Sequence, residues 1–224
     1  MSTRISKAIV LDIKLNDDSN HIVTFFTSDG VLRLLATGIH KINSKNKNNL
    51  HLGSIVEIEF FSARLKNKVG RLKTVNIEKI FDLTNVSKIY FFSRIKKLFL
   101  NIKEPNHLFE LYLRVFDFIN KEYYNKLLTF FYAQSLFYFG INPSYDSCRL
   151  CNSKSNLINF HLEKGGFICN RHGDEITHES IEYLNAIWAS FHSFKKYLII
   201  TDFNLDYNIR AKYINIIKEA GYYI

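Results

Sequence analysis

The chain has 224 residues, room for one large domain or two small ones. Hydrophobic residues make up 47% of it, and no apolar run reaches membrane-spanning length, so a soluble protein with a sizeable core is expected. The net charge is +9, and the three cysteines crowd into one region, which argues against a disulfide framework. The first residues, MSTRISKAIVLDIKLND, lack the apolar core and cleavage site of a signal peptide, and a cytosolic protein is expected.

The charge is uneven. Residues 1–80 hold 13 Lys and Arg against 7 Asp and Glu, so most of the surplus lies in the first third. A basic domain attracts polyanions such as nucleic acid or an acidic tail; the alternative is a solvated surface that serves solubility.

The same first third reads as strands. IVLDI (9–13), HIVTFFT (21–27), GVLRLLAT (30–37), SIVEIEFFSA (54–63) and RLKTVNIEKI (71–80) are rich in β-branched and aromatic residues. Val56, Ile58 and Phe60 alternate with Glu57 and Glu59, which predicts one buried and one wet face. Turn residues separate the strands at 16–20, 28–30 and 66–70. Only the third connection, residues 38–53, is long enough to hold a short helical turn. Five short strands with one long connection after the third suggest a small barrel of the oligonucleotide-binding (OB) type, over residues 1–81.

Two connections of this barrel concentrate positive charge. His40, Lys41, Lys45 and Lys47 lie in the third, which has no acid between Gly38 and Gly53. Arg64, Lys66, Lys68, Arg71 and Lys73 flank the last hairpin turn. These cations can neutralise phosphates and release counterions, with Asn43, Ser44 and Asn46 as neutral donors. The paired Phe25/Phe26 and Phe60/Phe61 place one ring inward and one outward, to stack bases or to meet helices. The first barrel loop, NDDSN, is acidic and argues against nucleic acid on that side.

Beyond residue 82 the period turns helical, and residues 82–224 are expected to form a mostly α-helical domain. Pro105 suits a first turn, with Leu108, Leu111, Tyr112, Val115 and Phe118 following at helical spacing. LLTFFYAQSLFYFG (127–140) is apolar nearly all round, which predicts a central buried helix ended by Gly140 and Pro143.

A segment at 145–175 then interrupts the helices. Cys148-x-x-Cys151, a gap, and Cys169-x-x-His172 form two ligand pairs at the spacing of a structural zinc site. Each tight turn offers two corners of a tetrahedron, and Gly165-Gly166 turns the chain back between them. His161 and His178 are alternatives for the fourth ligand. Four protein ligands close the site, so Zn2+ is expected to hold rather than to react. A zinc deaminase would need His-x-Glu before Pro-Cys-x-x-Cys; here His161-Leu-Glu163 follows the pair, and Ser147 precedes Cys148. Phosphate-cradling loops and nucleophile elbows are absent from the sequence, so no enzyme activity is expected. Two helices close the chain. Thr177 is a candidate cap for one carrying Leu184, Ile187, Trp188 and Phe191, and the last carries Ile209, Tyr213, Ile216, Ile217 and Ala220 up to Gly221.

Assembled, this α+β multidomain layout resembles the RecO family of bacterial recombination mediators over essentially its full length. The likeness rests on AIVLDIKLNDDSNHIVTFFTSDGVLRLLATGIHK with the basic segment and LGSIVEIEFF after it, and on FGINPSYDSCRLC with the returning GGFIC. The resemblance implies a non-enzymatic protein of the DNA damage response, working in the cytoplasm at the nucleoid in the RecFOR pathway. It implies binding of single- and double-stranded DNA through the OB domain and annealing of complementary strands. With RecR as partner, such proteins help load RecA onto DNA coated by single-strand-binding protein (SSB), whose acidic C-terminal tail docks on the helical domain. DNA contacts would fall on Lys41, Lys45, Lys47, Arg64, Lys66, Lys68, Arg71 and Lys73. Zinc would fall on Cys148, Cys151, Cys169 and His172, where many relatives carry a fourth Cys in last place. Lys195, Lys196 and Arg210 are candidate tail anchors. Lys and Asn replace the Arg-rich segment of many relatives, so phosphate contacts would be point charges. The alternatives are an RNA- or DNA-binding OB module and a zinc-stabilised adaptor that binds neither.

Overall fold

A computed structural model describes residues 3–39, 41, 44–63, 68–119, 123–173 and 178–224. The chain divides into two compact units, Met1–Phe116 and Asp117–Ile224. No helix among the described residues is long and apolar enough to cross a membrane.

Strands β1 (Thr3–Asp17), β2 (Asn20–Thr27), β3 (Gly30–Thr37), β4 (Ile55–Phe61) and β5 (Gly70–Lys79) close a barrel in the order β1-β2-β3-β5-β4. This is the OB-like architecture that the strand count and the long third connection predict. β1 starts six residues earlier than its apolar run, because it serves two neighbours. Thr3–Ile9 pair with β4, and Ile9–Asp17 pair with β2 past an irregularity at Leu11. Closure comes from two parallel pairs, Leu34 with Gly70 and Leu35 with Arg71. Alternation fills the interior with Ala8, Val10, Val23, Phe25, Val56, Ile58 and Phe60.

The first unit does not end with the barrel. Helices α1 (Val86–Leu100) and α2 (Leu108–Ile119) follow β5. Ile9, Leu11 and Phe26 point away from the barrel interior yet are fully buried, and Phe26 stacks on Phe99 of α1 at 4.1 Å. Phe81 meets the rings of Phe91, Phe92 and Phe116. The Tyr112 hydroxyl of α2 donates to the Gly53 carbonyl at 2.8 Å. α2 begins at Leu108, three residues past Pro105, because the Asn106 side chain accepts from the Phe109 N–H and caps the turn.

In the second unit, α3 (Tyr124–Ser135) is buried along nearly its whole length. It continues as a 3-10 turn over Leu136–Phe139 and stops at Gly140, whose φ is +76°. The short strands β6 (Leu157–His161) and β7 (Gly166–Cys169) form a separate hairpin. Helices α4 (Ile181–His192), α5 (Phe194–Ile200) and α6 (Phe203–Glu219) follow. Ser180, whose hydroxyl accepts from the Tyr183 N–H, caps α4; the expected cap Thr177 lies outside the described residues. The sequence periodicity does not separate α5 from α4. Ser193 does: it ends α4 and accepts from Lys196 N–H at the start of α5.

Candidate metal centre and nucleic-acid interface

The candidate metal ligands are built by three short pieces of chain. Cys148 and Cys151 sit in a turn before β6, Cys169 ends β7, and His172 follows in the next turn. Backbone bonds hold these turns together: Cys148 N–H donates to Ser153 O, Arg149 N–H to Phe167 O, and His172 N–H to Cys169 O. One ligand atom from each of the four residues lies within 4.8 Å of all the others. Among the described residues, His161 and His178 are not in this group.

The spacings fit a tetrahedral zinc ion. Bonds of about 2.3 Å to sulfur and about 2.0 Å to nitrogen place corners roughly 3.8 Å apart for two sulfurs and roughly 3.5 Å for sulfur and nitrogen. The Sγ atoms of Cys151 and Cys169 are 3.7 Å apart, and His172 Nδ1 is 3.4 Å from Cys169 Sγ and 3.7 Å from Cys148 Sγ. Four protein side chains are the full ligand number of a structural zinc site.

The electrostatics prepare a thiolate. Burial opposes ionisation of Cys148, but backbone N–H donors of Cys169, Leu150 and Cys151 and the His172 ring outweigh it and bring its thiol down to about 6. At Cys151 the Ser153 backbone favours ionisation, yet burial and the neighbouring Cys169 and Cys148 sulfurs win, and its thiol is raised. Three sulfurs crowded together cannot all carry charge alone, and a divalent cation removes that conflict.

On the barrel, Lys41, Lys45, Lys47, Lys68, Arg71 and Lys73 are all exposed. Arg64 and Lys66 lie outside the described residues, as do His40 and Asn43. The long third connection is not loose beside β5. Asn46 Nδ2 donates to Lys73 O at 3.1 Å, and its Oδ1 accepts from Val75 N–H at 3.1 Å. Asn49 Nδ2 donates to Val75 O at 2.7 Å from the 3-10 turn Lys47–Asn49. These bonds bring the segment with Lys45 and Lys47 against the strand that carries Arg71 and Lys73.

Asn46, a candidate phosphate donor, gives its Oδ1 and one of its two Nδ2 hydrogens to the β5 backbone. Lys73 is not an unencumbered cation. It sits at a bulge between β4 and β5, and its Nζ is 2.8 Å from Glu59 Oε1. Phe26 is fully buried against Phe99 and cannot stack a base. Asp17 in the acidic first loop serves its own turn. The Asn20 side chain, then the Ser19 N–H, hydrogen-bond its carboxylate and hold it down at about 2.

Of the candidate anchors in the second unit, Lys195 and Lys196 are exposed, and Lys196 Nζ lies 4.4 Å from the centre of the Trp188 ring. Arg210 is buried: it bonds Asp206 Oδ2 at 2.6 Å and Asn125 O at 3.0 Å. Asp206 also accepts from Thr129 and Tyr197. The guanidinium is an internal partner and not a surface anchor.

Comparison with known proteins adds an independent observation. The family description "Recombination protein O N terminal" matches residues 1–81, and "Recombination protein O C terminal" matches residues 81–194. A relative from Mesoplasma florum, named DNA repair protein RecO, is 27% identical over 217 residues, covering 89% of this chain and 80% of that protein. A protein of the same name from Bacillus cytotoxicus is 22% identical, over 70% of this chain and 66% of its own. Among solved structures, asparaginyl-tRNA synthetase from Entamoeba histolytica matches at a TM-score of 0.30 and 10% identity, over 84% of this chain and 42% of that one, too low to carry an argument.

Proposed function

The chain belongs to the recombination protein O family, and from that premise we propose that it serves DNA repair and recombination as a non-enzymatic mediator. It binds single- and double-stranded DNA, anneals complementary strands, and with RecR helps RecA load onto SSB-coated DNA in the bacterial cytoplasm. The observation that carries the DNA-binding part is the docking of the Lys45–Lys47 segment onto the Arg71–Lys73 strand through Asn46 and Asn49.

The mechanism is electrostatic. Lys41, Lys45, Lys47, Lys68 and Arg71 meet phosphates as exposed cations, and Arg64 and Lys66 belong to the same proposal. Lys73 contributes less, since a phosphate must compete with Glu59 for it. Two strands held on such a surface repel each other less, and base pairing supplies the sequence reading. Zn2+ on Cys148, Cys151, Cys169 and His172, when bound, supplies cross-linking and no reaction step. The tail of SSB is captured on the second unit by Lys195 and Lys196, beside the exposed Ile199.

Annealing of two labelled complementary strands, bare and SSB-coated, across a salt series tests this reading. Acceleration that fades with salt is expected, and Lys45→Ala/Lys47→Ala/Arg71→Ala should abolish most of it. Lys195→Ala/Lys196→Ala should lose acceleration on coated strands alone. No acceleration at any salt by the folded, zinc-loaded chain would reject the mediator role and leave a binding module or an adaptor.

A further inference from the structure

Beside the metal ligands, in the second unit, lies a cavity of about 370 Å3 whose walls include Leu150, His161, Lys164, Ile168 and His172. That is the small end of the range for ligand pockets, room for one nucleotide unit.

Three of these walls bring nitrogen donors. His172 turns Nδ1 to the sulfurs, so Nε2 is the polar atom left on the ring. A histidine that ligates a metal through one nitrogen keeps the other as an N–H donor. His161, the last residue of β6, is left out of the sulfur cluster. Lys164 sits exposed in the turn between β6 and β7. Among the described residues no carboxylate lines the cavity. The remaining walls are mixed: Asn159 and Gly173 lie beside Ile168, which is buried, and Leu150, which is 65% exposed in the middle of the Cys-x-x-Cys turn. Nitrogen donors and apolar side chains in the lining of one cavity suit an anion joined to a ring.

We infer that this cavity seats one nucleotide of a single-stranded nucleic acid, its phosphate held by Lys164, His161 and His172 and its base against Leu150 and Ile168. The inference rests on the nucleic-acid reading above and adds a second contact, on a different unit from the barrel loops. A base must leave its stack to enter, which a single strand permits more cheaply than a duplex. The metal takes part only by fixing the His172 ring.

The test uses the full zinc-loaded chain with a fluorescent oligo-dT across a salt series, and NMR of the His161 ring. The ring signals are expected to shift with oligo-dT. Lys164→Gln should lower affinity and reduce the salt slope by about 0.7, the value for one phosphate contact on a single strand. Metal content should not change, since Lys164 is not a ligand. In Lys45→Ala/Lys47→Ala/Arg71→Ala the His161 shift should persist at higher oligonucleotide concentration. An unaltered affinity and slope in Lys164→Gln, with binding abolished by the barrel variant, would overturn the inference and leave the barrel reading standing. No oligonucleotide binding by the parent chain would overturn both. A His161 shift with inorganic phosphate but none with oligo-dT would mark a free-anion site and overturn the nucleotide assignment.

Discussion

At the scale of one residue, Gly166 decides whether the turns that carry the Cys3His cluster can form. Its φ is +121°, and a Cβ built there would lie 2.3 Å from Ser144 O and 2.4 Å from Ser144 N. Both are backbone atoms that hold the hairpin, since Ser144 N–H donates to Gly165 O and Phe167 N–H to Ser144 O. A methyl group therefore meets strain of about 1–3 kcal/mol from the backbone conformation, with a clash against an immovable neighbour besides. Gly166→Ala is expected to lower zinc content, read by metal analysis of the purified chain, while far-UV dichroism from the helices persists. Full zinc occupancy in that variant would show that the Ser144 contact is dispensable. The glycine pair was legible in the sequence as a turn between two ligand pairs. The contact with Ser144 was not, because it joins residues 22 positions apart through backbone atoms that no side-chain pattern reports. Asn46 was half legible for a related reason. An asparagine among lysines in a long connection looks like one more phosphate donor, and only the docked loop reveals the β5 backbone as its partner.

At the scale of elements, the strands were legible wherever one face is wet. Val56, Ile58 and Phe60 against Glu57 and Glu59 mark β4 plainly. β1 was half legible, since Arg4, Ser6 and Lys7 interrupt the apolar pattern over the part that pairs with β4. The parallel closure between β3 and β5 leaves no local signal, because it spans two residue pairs far apart in sequence. The Cys3His cluster was legible by spacing alone, and its physics gives a prediction. β6 and β7 have five and four residues, too few to hold a two-stranded hairpin in water without help. The three Cys and one His beside it would supply that help when bound to a cation. Stripping the metal with a chelator should raise amide exchange across residues 144–173 and leave α3, which has its own apolar surroundings, protected. Unchanged exchange in the stripped chain would show that the hairpin stands by its own packing.

At the scale of the whole chain, the question is where an independently folding piece can be cut. The matched N-terminal region ends at residue 81, with the barrel, while the compact unit continues to Phe116. The surfaces involved say what each cut exposes. Ile9, Leu11 and Phe26 lie on the outside of the barrel and are covered. Phe26 meets Phe99, Phe81 meets Phe91, Phe92 and Phe116, and Lys96 of α1 pairs with Asp12 of β1 at 2.8 Å. Uncovering a large apolar side chain costs about 1.5–3 kcal/mol, so exposing four of them consumes most of the stability of a small domain. A fragment of residues 1–119, which keeps α1 and α2 whole, is therefore expected to unfold cooperatively in urea and to stay monomeric. A fragment of residues 1–81 is expected to aggregate or to bind a hydrophobic dye, although it contains every strand of the barrel. Exposed cations do not rescue it, because net charge keeps a surface soluble and does nothing for an uncovered Phe26. If the shorter fragment melted cooperatively with the same midpoint as the longer one, α1 and α2 would be an addition to the barrel rather than part of its core. Oligonucleotide binding by the longer fragment alone would then be the measure of how far the barrel loops act without the second unit.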